Sequence, residues 1–232
     1  MILAWRGFRF EAIDLLALAW FFSIWIGYAD FARRRSQRVP SLMSVMREYR
    51  REWWARIVER EMRIVDTSIA AHLGNSATFF ASTTLLILGG LLALLGTTDK
   101  VVAVVEGLPF NARASPELWE IKILLLIGIF VYAFFKFTWS LRQFNFTSVL
   151  IGAAPREPQH TEAEQLFITR AAQLVHSASE SFNYGLRAYY FGLAALTWFV
   201  SSGLFMIATA WIVGVLYWRE FHSETLNLLK RP

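Results

Sequence analysis

Asn75, Ser76, Thr78 and Ser82 open a stretch, Ala77 to Leu95, that carries no charge, and Phe79 lies among them. Asn75, Thr78 and Ser82 fall at helical spacing on one face. Hydroxyls and an amide without fixed charge suit the lining of a pore for small ions, and Phe79 suits an apolar constriction beside them. The same stripe suits helix packing, because lipid penalises such groups slightly and a neighbouring helix does not. Both readings stand at this level.

A second set of polar residues falls at the ends of the apolar stretches: Asp66, His72, Lys136, Asn145, Asn183 and Arg187. Asp66 and Arg187 read as partners that either fix helix packing or form a gate. His72 and His176 lie on amphipathic segments where a proton-sensing pair is conceivable, against the plain reading of an ordinary exposed or hydrogen-bonded histidine. Lys136 sits one turn from the end of an apolar run and can snorkel to an interface. Asp14, near the start of the first apolar run, reads as a headgroup-level residue or an intramembrane acid.

Enzyme chemistry finds little support. Gly74-Asn-Ser-Ala-Thr78 comes within one residue of GxSxG, but a nucleophile elbow needs a strand-to-helix turn and this motif opens a helix. There is no HExxH, and His72, His160, His176 and His222 lack recurring ligand spacing, so no metal site and no cofactor are expected. The chain has no cysteine. Thiolate sites and disulfides are thereby excluded. The expected class is not an enzyme; an intramembrane hydrolase would have to use Ser76.

The elements that position these residues follow from composition. Hydrophobic residues make up 56% of the 232 and charged residues only 18%, below the roughly 25% of a soluble domain. Four apolar runs read as spans, at about 12–28, 77–95, 121–140 and 189–218. Nineteen helical residues reach ~28 Å, enough for the bilayer hydrocarbon. The last run, at ~45 Å, exceeds it and must tilt, bend or lie partly outside.

Between Ala29 and Ser76 lie ten arginines against six carboxylates, which the positive-inside rule places in the cytoplasm, with both termini outside. The net charge of +5 therefore records topology, and nucleic acid is not an expected partner. Two long amphipathic cytoplasmic helices are expected, at about 41–75 and 161–183. Pro40-Ser41 starts the first, and Thr161-Glu-Ala-Glu164 caps the second. Asn183-Tyr184-Gly185 reads as an interruption before the last span. Ser115-Pro116-Glu117 reads as the start of the third, after an external connection with a short apolar run at Val101 to Val105.

Gly89-Gly90 permits close approach or a bend, and Gly192, Gly203 and Gly214 recur every eleven residues as a packing seam.

Several runs together resemble the membrane family known as domain of unknown function 599 (DUF599). They are Glu61-Met-Arg-Ile-Val-Asp66, Gly74-Asn75, Ser76 to Thr84, Phe134-Phe-Lys-Phe-Thr-Trp-Ser140, Asn145 and Ile151-Gly152-Ala153, then Phe182-Asn183, Gly185-Leu-Arg-Ala-Tyr-Tyr190 and Arg219-Glu-Phe-His222. The likeness covers nearly the whole length. It implies a bacterial-type integral membrane protein with four spans, and it carries no activity.

The expected fold is all-α: a single polytopic membrane domain with four transmembrane helices. The expected function is a homo-oligomeric channel or passive transport pore for small ions in the inner membrane, lined by the second span. A single four-span subunit has little room for both packing and a pore, so the pore requires several copies. The alternative is a non-enzymatic scaffold or accessory subunit of a larger complex. In either case the lipid bilayer is the first partner.

Overall fold

The computed structural model describes residues 12–97, 116–155 and 160–230, together with the backbone of a short antiparallel hairpin, β1 (Leu3–Trp5) and β2 (Phe8–Phe10). The fold is otherwise all-helical. Its helices are α1 (Ala12–Ser36), α2 (Leu42–Glu59), α3 (Ile64–Leu95), α4 (Pro116–Ala153), α5 (Glu162–Leu196), α6 (Ser202–Phe221) and α7 (Glu224–Leu229). Among the described residues four segments are long and apolar enough to cross a membrane: Ala12–Ser36, Ile64–Leu95, Pro116–Ala153 and Ser202–Leu229. The proposed Ser115 cap, the run Val101 to Val105 and the prolyl linker beyond Pro155 lie outside the described residues.

Three boundaries differ from the sequence expectation. The segment 41–75 is not one helix. It turns a corner at Arg60–Arg63 that no glycine or proline announces. Here the Arg60 N–H donates to Ile57 O, while the Arg63 guanidinium donates to Ile57 O, Ala154 O and Pro155 O. One arginine thus absorbs carbonyls left over at two helix ends, which is what allows the backbone to stop and restart.

Conversely, Asn183-Tyr184-Gly185 interrupts nothing, and α5 runs through it for 35 residues. The apolar run 189–218 is broken instead at Thr197–Phe199, a 3₁₀ turn between α5 and α6. Thr197 Oγ1 donates back to Ala194 O, and the fourth apolar segment begins only at Ser202. Gly192 and Gly203 therefore belong to different helices, and the three glycines do not line one continuous helix.

The capping signals hold. Ser41 Oγ accepts from the Ser44 N–H while Ser44 Oγ accepts from the Ser41 N–H, a reciprocal box that starts α2. Thr161 Oγ1 accepts from the Glu164 N–H at the start of α5.

Contacts sort the chain into two compact units. Unit 1 comprises Met1–Arg35, Thr84–Tyr132 and Arg187–Trp218. Its described core is aromatic: Trp25 stacks on Phe191 at 5.2 Å, Phe21 meets Phe191 edgewise at 5.7 Å, and Trp198 stacks on Phe205 at 5.3 Å. Unit 2 comprises Ser36–Thr83, Ala133–Leu186 and Arg219–Pro232. It buries Trp54, Ile57 and Val58 of α2 with Ala70 and Ala77 of α3, Phe144 and Ile151 of α4, and Ile168, Ala171, Val175 and Ala178 of α5. Alanines at helical spacing on α5 let its neighbours approach closely.

Candidate functional site

The helical period of α3 decides where its polar stripe points. Gly74, Ala77, Ala81 and Thr84 recur every three or four residues, and Ala77, Ala81 and Thr84 are buried. That face is the packed one. Asn75, Ser76, Thr78, Phe79 and Ser82 fall outside it and are all exposed, Phe79 at 65%. Packing within one subunit therefore does not account for the stripe. Two hydroxyls are bonded to the helix itself, Ser76 Oγ to His72 O and Thr78 Oγ1 to Gly74 O, both at 3.1 Å. Such back-bonding leaves the oxygen lone pairs turned outward. Phe79 touches Phe80 edgewise, and Phe80 anchors inward by stacking on Phe137 at 5.2 Å.

The residues expected at the ends of the spans have separate partners. Asp66, in the first turn of α3, is fully buried; its Oδ1 accepts from Trp53 Nε1 at 2.7 Å and from the Arg60 guanidinium at 2.6 Å. Arg187 instead lies over the Tyr28 ring at 5.5 Å, and Lys136 over Tyr184 at 5.3 Å. Asn183 donates to Met43 Sδ at 2.8 Å. Asn145 and His72 are exposed. Of the five glycines expected to pack, Gly89, Gly90, Gly203 and Gly214 meet open space where a Cβ would stand, and Gly192 packs against Phe130.

The polar cluster that unit 2 does assemble is one the sequence did not signal. Arg47 and Arg50, three residues apart on α2, both face His176 of α5. Arg47 Nε donates to His176 Nε2 at 3.1 Å, its second nitrogen stands 2.8 Å from the same atom, and Arg50 stands 3.4 Å from Nδ1. Burial first, then the charges of Arg47 and Arg50, push the His176 imidazole down to about 4, so the ring is neutral. Burial also lowers Arg50 to about 10, with Glu180 opposing and Arg47 adding to the shift, and it stays charged.

Beside this group, Gln143 Nε2 of α4 donates to Ser177 Oγ at 2.8 Å, Ser181 Oγ donates to Gln143 Oε1 at 3.3 Å, and Ser140 Oγ donates to Ala178 O at 2.8 Å. These bonds join α4 to α5 and satisfy groups that would otherwise be buried unpaired.

Unit 1 holds a different polar site. Asp14 is buried, and its Oδ1 accepts from Trp198 Nε1 at 3.0 Å and from Ser202 Oγ at 2.5 Å. It is therefore a packed residue of the helix bundle. Lys122, also buried, places its ammonium 5.5 Å from the Trp198 ring and 5.8 Å from Phe199. Sequence spacing gave Lys122 no role, since its ring partners arrive from the distant 3₁₀ turn.

Among the described residues no group of three or more His, Asp or Glu is arranged to hold a metal. The model of the family described as "Protein of unknown function, DUF599" matches residues 16–225. The chain belongs to that family. No curated protein and no solved structure matches it.

Proposed function

We propose that this DUF599 chain is the subunit of a homo-oligomeric membrane pore for small ions, with α3 lining the symmetry axis. The observation that carries the reading is the outward stripe of Asn75, Ser76, Thr78 and Ser82 on a helix that is apolar enough and long enough to span. A polar stripe left exposed by the described residues of its own chain faces lipid, a second copy or water. Lipid offers no partner to the Asn75 amide and to the outward lone pairs of the hydroxyls, whereas a ring of copies or a water-filled axis does. Phe79, exposed beside them, then serves as the apolar constriction.

The arginine-rich segment between Ala29 and Ser76 supports an inner-membrane topology with that segment in the cytoplasm and both termini outside. On this reading unit 2 includes a cytoplasmic helical collar.

Purified protein reconstituted in liposomes should form a defined oligomer by native mass spectrometry and pass monovalent ions. Phe79→Ala should raise the flux and Ser82→Leu should lower it, each on the order of tenfold, the effect of about 1.4 kcal/mol on a barrier. A monomer with no flux above empty liposomes removes the pore. A stoichiometric complex with one other membrane protein, again without flux, establishes the scaffold reading in its place.

A further inference from the structure

The imidazole of His176 has one lone pair, and two guanidinium groups approach it. Arg47 donates its Nε–H to Nε2, so Nε2 is the acceptor and Nδ1 carries the ring proton. Arg50, 3.4 Å from Nδ1, consequently turns an N–H toward an N–H. Donor faces donor. The ring is 6% exposed and the polar group aimed at Arg50 has no acceptor among the described residues, a placement that costs energy unless something supplies one. Glu180, one turn along α5, reaches only the opposite edge of the ring, 3.9 Å from Nε2. Arg47 and Arg50 against Glu180, with the ring neutral, leave the cluster one positive charge in excess.

We propose that Arg50, Arg47 and His176 form a binding site for a phosphate-type oxyanion, whose oxygens accept from the Nδ1–H of His176 and from the Arg50 guanidinium. The chemistry is specific in three respects. An oxyanion supplies the acceptor that the ring proton lacks. Guanidinium groups bind tetrahedral oxyanions through paired N–H donors, which lysine in the same place would not do. Two guanidinium groups against the one carboxylate of Glu180 make a charge-assisted bond to an anion stronger than one to a water molecule.

Arg47 is exposed and Arg50 half-buried, so the site opens toward the α2 surface while the histidine forms its floor. The two sources of such a group are a free phosphate and the phosphodiester of an anionic lipid headgroup. The inference does not depend on α3 lining a pore.

The full chain in phosphatidylcholine nanodiscs should show a saturable change in the His176 ¹⁵N resonances on titration with inorganic phosphate, the Nδ1–H signal moving as it gains an acceptor. Arg50→Gln should weaken the apparent affinity at least tenfold. Arg142→Gln, which alters an exposed arginine of α4, should leave it unchanged. In a second arm, native mass spectrometry of protein from phosphatidylglycerol nanodiscs should show one retained anionic lipid per chain in the wild type and in Arg142→Gln, and none in Arg50→Gln.

A response in the first arm alone identifies free phosphate as the source, and in the second alone the headgroup. Either result supports the site provided Arg50→Gln abolishes it. No saturable response in either arm, or an equal one in Arg50→Gln, overturns it.

Discussion

Unit 1 and unit 2 both bury rings, but they differ in how many polar side chains they bury beside them. The first packs rings: Phe21, Trp25, Phe191, Trp198 and Phe205 meet one another at 5.1 to 5.7 Å, and its described buried polar residues are few. The second combines an alanine-rich core with Asp66, Ser140, Gln143, Thr147, Glu164, His176, Ser179 and Ser181, all buried. Rings gain from area and geometry without needing partners. A polar core is stable only while each group keeps its hydrogen bond. Unit 1 should therefore tolerate loss of a single contact, and unit 2 should respond sharply when one polar partner is removed.

The largest expected effect comes from Asp66→Ala. It strands the Trp53 indole N–H and the Arg60 guanidinium that Asp66 Oδ1 accepts from. Breaking one side of a buried charged network typically costs about 3 kcal/mol, reduced here because Arg60 is partly solvated. Urea unfolding in detergent, followed by tryptophan fluorescence, measures the loss. Hydrogen exchange locates it, with α2 and the start of α3 losing protection first. If Phe21→Leu in unit 1 costs as much, the distinction between a ring core and a polar core fails.

Protonation tests the same distinction without mutation. His176 titrates near 6.5 when unfolded and at about 4 in the fold. Its folded value is depressed, so the neutral ring contributes stability that is complete above pH 6.5. That stability is lost as pH falls from 6.5 toward 4, where the folded protein resists a proton that the unfolded chain accepts. The loss should be on the order of 2–3 kcal/mol between those limits. His176→Gln should flatten the pH dependence of the unfolding midpoint in that window. An unchanged slope would mean that other groups carry it.

What the sequence made legible was periodic or local. The apolar runs marked the first three spanning segments and overlapped the fourth, and Ser41 and Thr161 marked helix starts because a cap is read three residues from itself. The arrangement α3 gives Asn75, Thr78 and Ser82 was legible as one face, but whether that face turned inward was not. That depends on what packs against Ala77 and Ala81.

The illegible features all rest on partners distant in the chain. The corner at Arg60–Arg63 closes on Ala154 and Pro155, and the break at Thr197–Phe199 places Trp198 against Asp14. His176 meets arginines from α2, not the His72 that sequence position suggested. Periodicity carries no trace of such contacts.

Glycines along α5 and α6 give the smallest and most graded test. Gly185 and Gly192 each face a ring of α4, one in each unit. An added Cβ at Gly185 would stand 2.6 Å from Phe137, which is fully buried between Phe80 and Phe182 and has nowhere to move. Gly185→Ala should destabilise by about 2 kcal/mol, the usual range for overpacking. At Gly192 the Cβ would meet Phe130 at 3.1 Å, a contact relieved by a few tenths of an ångström, so the strain should roughly cancel the gain in helix propensity of about 1 kcal/mol. Gly203→Ala, with open space around it, should keep that gain and stabilise by up to about 1 kcal/mol. The order Gly203, Gly192, Gly185 in unfolding midpoint places the tight helix contact in unit 2. A reversed order would mean that Gly203 is packed more tightly than Gly185, against the open space seen around it.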